Sequence, residues 1–220
     1  MDQELIHVYL MPGMAANPTI FENIKLPKDK FQIHWLEWMI PYKNESISEY
    51  AKRMTLHIKQ DNIVLLGVSF GGILVQEMSK HINLRKLIVV SSVKTMHELP
   101  NRMKIAKLTK AYKMLPTSLA GNIDALTKYT FGKSITKRIE LYKKYMSVNN
   151  KQYLDWAIEQ VVCWEQDKPI PGAIHIHGEK DQVFPHRHVC DCITIKGGTH
   201  IMIINKYKWF NENLPQLILQ

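Results

Sequence analysis

One stretch limits the folds open to this chain more than any other: Ile63-Val64-Leu65-Leu66-Gly67-Val68-Ser69-Phe70-Gly71-Gly72. Ile63 to Leu66 is a short apolar run of strand-forming residues. Gly67, Ser69 and Gly71 then spell G-x-S-x-G, the spacing of a nucleophile elbow. The spacing has a steric cause. A serine at the apex of so sharp a turn sits in a strained backbone conformation, and side chains two positions before and after it would collide. From Phe70 the pattern continues as a helix, with Leu74 and Met78 one turn apart on one face. A helix start under the serine favours negative charge there. An ordinary strand-to-helix turn with a capping serine would match the same letters. The apolar run before the turn and the extra Gly72 weigh against it.

Around this unit, strand and helix patterns alternate. Leu5–Leu10 reads as a buried strand and Met11–Pro18 as a loop, with a short helix over Phe21–Leu26. A second strand covers Phe31–Leu36, closed by Pro41. Ser46-Ile47-Ser48-Glu49 matches a capping box and opens a helix to about Gln60, with Ile47, Tyr50, Met54 and Ile58 facing inward. Arg85–Ser91 is a further strand of the parallel type. From about Thr95 to Asp167 the strand signal stops. Helix-spaced Ile105, Leu108, Tyr112 and Leu115 stand among lysines, punctuated by Pro116 and Gly121-Asn122. The segment at about 95–168 is therefore expected to be a helical cap inserted in a single domain spanning 1–220. Alternation resumes with strands at Ala173–Gly178 and Cys190–Lys196 and a last helix at about Asn205–Phe210. The pattern predicts an α/β fold: a mostly parallel sheet with helices on both faces.

Composition sets the remaining bounds. A chain of 220 residues, 45% apolar and 22% charged, has enough material for one full core. It contains no apolar run long enough to span a membrane. Met1-Asp2-Gln3-Glu4 has no basic leader character. Three cysteines, Cys163, Cys190 and Cys192, lack disulfide-framework spacing, so a reducing cytoplasm is the expected setting. The net charge is +9, and residues 95–168 hold 13 Lys or Arg against 7 Asp or Glu. That excess reads as a solvated helical surface, or as a positive field over a cleft that attracts anions.

A serine hydroxyl needs a base to take its proton, and the base needs an orienting acid. Asp181 follows one strand pattern in His177-Gly178-Glu179-Lys180-Asp181, and His200 follows the next in Gly197-Gly198-Thr199-His200. Each stands past the C-terminal end of a strand, as Ser69 does, where an open parallel sheet has its crevice. Glu179 is the alternative acid. Asp167 and Asp191 read as surface carboxylates, and His175 and His177 as structural. His186, His188, Cys190 and Cys192 alternate, which on an extended strand invites zinc. Four ligands in a line cannot close a tetrahedron, and Pro185 places the histidines in a loop or short helix. No metal and no cofactor is expected. The aromatics Tyr112, Tyr129, Phe131, Trp156 and Trp164 are expected mostly in the core, with one or two lining a pocket.

Taken together, the segments around Ser69, Asp181 and His200 resemble the α/β-hydrolase superfamily, and the likeness covers most of the chain. By position the resemblance makes Ser69 the nucleophile, Asp181 the acid and His200 the base. It also implies an oxyanion hole of two backbone N–H groups. One belongs to Phe70; the other belongs to Met14 in Pro12-Gly13-Met14, where the family often has His-Gly-x. The family's two antiparallel N-terminal strands have no counterpart before Leu5, so a shortened sheet of about six strands is expected. The activity implied is that of a serine hydrolase cleaving a small carboxylic ester through an acyl-enzyme. An acyl thioesterase or acyltransferase would use the same residues. A hydrolase-fold ligand-binding protein with little turnover is the rival from another class. The expected partner is a small-molecule ester or thioester and not nucleic acid.

Overall fold

The computed structural model describes residues 4–115, 117 and 144–220. Six strands make one sheet: β1 (Ile6–Met11), β2 (Phe31–Trp35), β3 (Ile63–Val68), β4 (Lys86–Val90), β5 (Ile174–Gly178) and β6 (Ile193–Ile195). Their order is β2-β1-β3-β4-β5-β6, and every neighbouring pair is parallel. The chain starts at β1, steps outward to β2, then crosses back to β3 and runs the other way. The loops leaving β1 and β3 therefore diverge, and the crevice of an open sheet opens between them.

Successive side chains on a strand face opposite ways. Tyr9, Met11, Leu65, Leu87 and Val89 enter one core, and Val8, Leu10, Val64, Leu66, Ile88 and Val90 the other. Helices α1 (Ile47–Thr55), α2 (Phe70–Met78) and, later in the chain, α4 (Lys151–Cys163) cover the first face. A 3-10 turn at Pro18–Phe21, α5 (Met202–Asn205) and α6 (Tyr207–Leu219) cover the second. Between β4 and β5 the described residues also hold α3 (Asn101–Thr109), with short 3-10 turns at Met96–Glu98 and Ala111–Met114. Among the described residues no strand falls in this stretch. Pro116, Gly121-Asn122, Tyr129 and Phe131 lie outside the described residues.

Several boundaries differ from the sequence reading. The short helix expected at Phe21–Leu26 comes earlier, because Asn17 accepts from the Thr19 amide and Pro18 supplies a preset first turn. The capping box at Ser46 and Glu49 forms, but α1 stops at Thr55. There the amides of Leu56, His57 and Ile58 bond three residues back and tighten the chain out of the helix. The last strand keeps only Ile193–Ile195. The last helix runs on to Leu219 through Pro215. Burial of Phe210, Leu214 and Ile218, spaced four apart, outweighs the amide that proline lacks. Finally, α4 belongs to the body as much as to any cap: Tyr153, Leu154, Trp156 and Ala157 are buried against α1 and α2 side chains.

Candidate active site

Ser69 connects β3 to α2 with φ 56° and ψ −123°. This is a left-handed conformation that a side chain adopts at a cost of about 1–3 kcal/mol. The surroundings fix it. The Ser69 amide donates to the Val90 carbonyl at 2.9 Å, and the Ser69 carbonyl accepts from the Ser92 hydroxyl at 2.6 Å and the Gly72 amide at 2.9 Å. The two flanking glycines answer to different neighbours. A Cβ on Gly67 would lie 2.2 Å from the Gly71 carbonyl oxygen, the collision expected across the turn. A Cβ on Gly71 would lie 2.3 Å from the Pro12 carbonyl oxygen. Gly71 is therefore small to admit the loop after β1, which the motif alone does not reveal.

The loops after β5 and β6 bring Asp181 and His200 to the same end of the sheet. Gly178 and Gly198 let these loops close up, since a Cβ on Gly178 would stand 2.5 Å from the Gly198 carbonyl. His200 Nε2 lies 2.9 Å from Ser69 Oγ, and His200 Nδ1 lies 2.9 Å from Asp181 Oδ2. The neutral tautomer that satisfies both contacts donates from Nδ1 to the carboxylate and accepts the serine proton at Nε2. Asp181 is buried, and its Oδ1 accepts from the Val183 and Phe184 amides at 2.8 and 3.0 Å. Burial pushes the Asp181 carboxyl up. The hydrogen bond and charge of His200, the Phe184 amide and His177 outweigh it and hold the group below the usual carboxylate range.

Behind the carboxylate sits a buried histidine pair. His177 Nε2–H donates to the Phe184 carbonyl at 2.8 Å, and His177 Nδ1 faces His175 Nε2 at 3.2 Å. Burial lowers both imidazoles, His175 to about 3, so both stay neutral. His177 thus braces the turn whose amides hold Asp181. Glu179 is turned elsewhere, its carboxylate accepting from the Gly197 amide at 2.8 Å. Asp167 pairs with His97 at the surface, and the Asp191 carbonyl accepts from Lys94.

The loop after β1 passes over the serine. Gly13 is packed so closely that a Cβ there would stand 3.3 Å from Ser69 Cβ. Met14 follows it, and Phe70 opens α2. Among the described residues neither the Met14 nor the Phe70 amide finds an acceptor. Both residues border a cavity of about 460 Å³ that also contains Ser69 and His200 and is walled by Met103 and Ala106 of α3 and Ile158 and Val161 of α4. A second cavity of about 450 Å³ lies on the other side of Ser69 and His200, between Met14, Ile20, Tyr145 and Ile204. Of the aromatics singled out above, Tyr112 lines the first cavity, and Trp156 and Trp164 are buried. His186 and His188 lie in a 3-10 turn, with Cys192 Sγ 3.8 Å from His186 Nε2. Among the described residues no three His, Cys, Asp or Glu side chains converge as a metal-binding set. The sequence reading missed Trp38 and Tyr153, which hold the β1 loop from outside any motif.

A six-stranded parallel sheet with this elbow and crevice is the α/β-hydrolase fold, and solved structures bear out the assignment. The chain is similar to a bromoperoxidase from Bacillus anthracis, at 16% identity and TM-score 0.64, over 99% of this chain and 93% of that one. It is similar to an esterase from Exiguobacterium antarcticum, at 17% identity and TM-score 0.62, over 100% and 94%. The enol-lactonase from Burkholderia xenovorans gives 12% identity and TM-score 0.67, over 99% and 92%. No protein-family model and no curated protein matches the sequence. Among the described residues no helix is long and apolar enough to cross a membrane.

Proposed function

We propose that the protein is a serine hydrolase that cleaves a small carboxylic ester through an acyl-enzyme. The observation that carries the reading is the unbroken relay from Ser69 through His200 to Asp181, built on a serine held at φ 56°. Ser69 Oγ attacks the ester carbonyl carbon while His200 Nε2 takes the hydroxyl proton. The oxyanion of the tetrahedral intermediate is received by the free amides of Met14 and Phe70. As the C–O bond breaks, the leaving alkoxide takes the proton from His200. A water then gives a proton to the same nitrogen, attacks the acyl carbon and releases the carboxylic acid, and the proton returns to Ser69. Asp181 keeps the histidine in the accepting tautomer throughout.

The cavities on the two sides of Ser69 support an ester with an apolar group on each side of the carbonyl. In this reading, residues at about 95–168 form a helical cap within one domain, of which α3, the 3-10 turns on either side of it and α4 are the described elements. The esterase and enol-lactonase among the similar structures agree with the reaction class. The free thiols Cys163, Cys190 and Cys192 support a cytoplasmic setting. The test is a panel of p-nitrophenyl esters and acyl thioesters, run beside labelling by an activated phosphonate. Wild type should label stoichiometrically and turn over an ester, and Ser69→Ala should do neither. Undiminished turnover by folded Ser69→Ala would remove the mechanism. Labelling without turnover on the whole panel would make the protein a binder.

A further inference from the structure

Trp38, in the loop after β2, belongs to no motif. Its indole Nε1–H donates to the Gly13 carbonyl at 2.9 Å. Its ring stacks on Phe70, with centroids 5.0 Å apart and planes 6° from parallel. One side chain thus touches both of the segments whose amides border Ser69. The Gly13 carbonyl and the Met14 N–H share a peptide unit. Among the described residues no peptide bond is cis, so these two groups point opposite ways. Fixing the carbonyl on the indole fixes the N–H on the side away from it.

The loop needs such a tie. Ala15 sits at φ 62°, where a side chain is strained. Inside the loop the Ala16 amide donates to the same Gly13 carbonyl at 3.1 Å, and the Ala15 amide reaches the Tyr153 hydroxyl at 3.4 Å. Neither of these contacts links the loop to the start of α2. Trp38 does so, and it rests against Tyr153 as well, at 5.1 Å between ring centroids.

We propose that Trp38 is a positioning residue for the oxyanion hole, holding the Met14 N–H in fixed relation to the Phe70 N–H over Ser69. The proposal rests on the reading of Ser69 as the nucleophile. Preorganised donors stabilise a developing oxyanion because they need no rearrangement at the moment of reaction. A donor whose peptide can rotate loses that advantage while leaving the cavities, and hence ground-state binding, intact.

The experiment compares full-length wild type, Trp38→Phe and Trp156→Phe. Trp156 is in the same aromatic cluster, but its indole donates to the Glu45 carbonyl at 2.7 Å and not to the β1 loop. Trp38→Phe should lower kcat by about tenfold or more, between no effect and the loss of a whole oxyanion donor. KM and the shape of the pH profile should hold, and phosphonate labelling should slow in step with kcat. Trp156→Phe should keep the wild-type kcat. Replacement of Trp38 by benzothienylalanine, which keeps the bicyclic shape and lacks the N–H, should reproduce the loss and serves if Trp38→Phe does not fold. Wild-type kcat in either folded Trp38 variant overturns the proposal, as does an equal loss in Trp156→Phe or a loss carried by KM. A wild type that neither labels nor turns over overturns the reading of Ser69 and this proposal with it. An active wild type with an unaffected Trp38→Phe overturns this proposal alone.

Discussion

Replacing Asp181 by asparagine tests the relay at its buried end, and the structure fixes how the new side chain must sit. The Val183 and Phe184 amides, 2.8 and 3.0 Å from Oδ1, require an acceptor. The asparagine oxygen takes that place, because turning the NH2 towards these two donors, the Phe184 amide buried and the Val183 amide partly so, would cost about 1–3 kcal/mol for a buried one left unmet. The NH2 then faces His200 Nδ1 where Asp181 Oδ2 now lies at 2.9 Å. His200 must accept at Nδ1, so its proton moves to Nε2, and a protonated Nε2 cannot take the hydroxyl proton of Ser69. In the chymotrypsin-type triad the same change lowers kcat by about 10⁴. At about 1.36 kcal/mol per tenfold, that corresponds to roughly 5.4 kcal/mol of transition-state stabilisation. The assay is ester turnover with kcat and KM separated, alongside thermal unfolding. A fold defect of that size would lower Tm by about 10–20 °C, so a melting point near wild type assigns the loss to chemistry. Glu179→Gln should leave kcat unchanged, since Glu179 serves the Gly197 amide. Retention of kcat within about tenfold in Asp181→Asn, far short of the expected factor, or a larger loss in Glu179→Gln, would refute the reasoning.

Gly71→Ala should lower both stability and activity, because its Cβ would meet the Pro12 and Met11 carbonyl oxygens at 2.3 and 2.6 Å and force the β1 loop away from Ser69. We expect a loss of about 1–3 kcal/mol in unfolding free energy and about 10²-fold in kcat; a variant with wild-type kcat would show that the loop is not coupled to the reaction. The acid side of the stability profile should be set by the buried histidines. Burial holds His175 at about 3, whereas the unfolded chain protonates it near 6.5, so between those values the unfolded state binds the extra proton and stability is lost as the pH is lowered. The slope is about 1.4 kcal/mol per pH unit for each such group, and unfolding measured from pH 7 to 4 should be less steep in His175→Gln; equal slopes would remove His175 from the account.

The sheet and the meeting of Ser69, Asp181 and His200 were legible because each depends on a local pattern. An apolar run sets a strand, a glycine sets a close approach, and strand ends share one edge of a parallel sheet. What was not legible depends on contacts across the chain. Trp38 reaches Gly13 through a single indole N–H, and no spacing in the sequence announces such a bond. Pro215 reads as a helix breaker, and only the buried stripe of Phe210, Leu214 and Ile218 shows why the helix continues. The role of Gly71 was misattributed for the same reason: its neighbour is not within the turn but in the loop after the first strand.

The closeness of the last two strands has a consequence for how the molecule assembles. Asp181 and His200, the proposed acid and base, are carried by the loops after β5 and β6, while Ser69 stands 131 residues before His200. Strand β6 joins the sheet through only three residue pairs, Ile176 with Ile193, His177 with Thr194 and Gly178 with Ile195. A β1–β3 half could pair while its serine still lacked a base. Long-range closure of this kind is slow relative to local pairing. Under the proposed mechanism, competence would arrive with the docking of the C-terminal third, and an opening confined to that third would silence the protein while most of its core stayed shut.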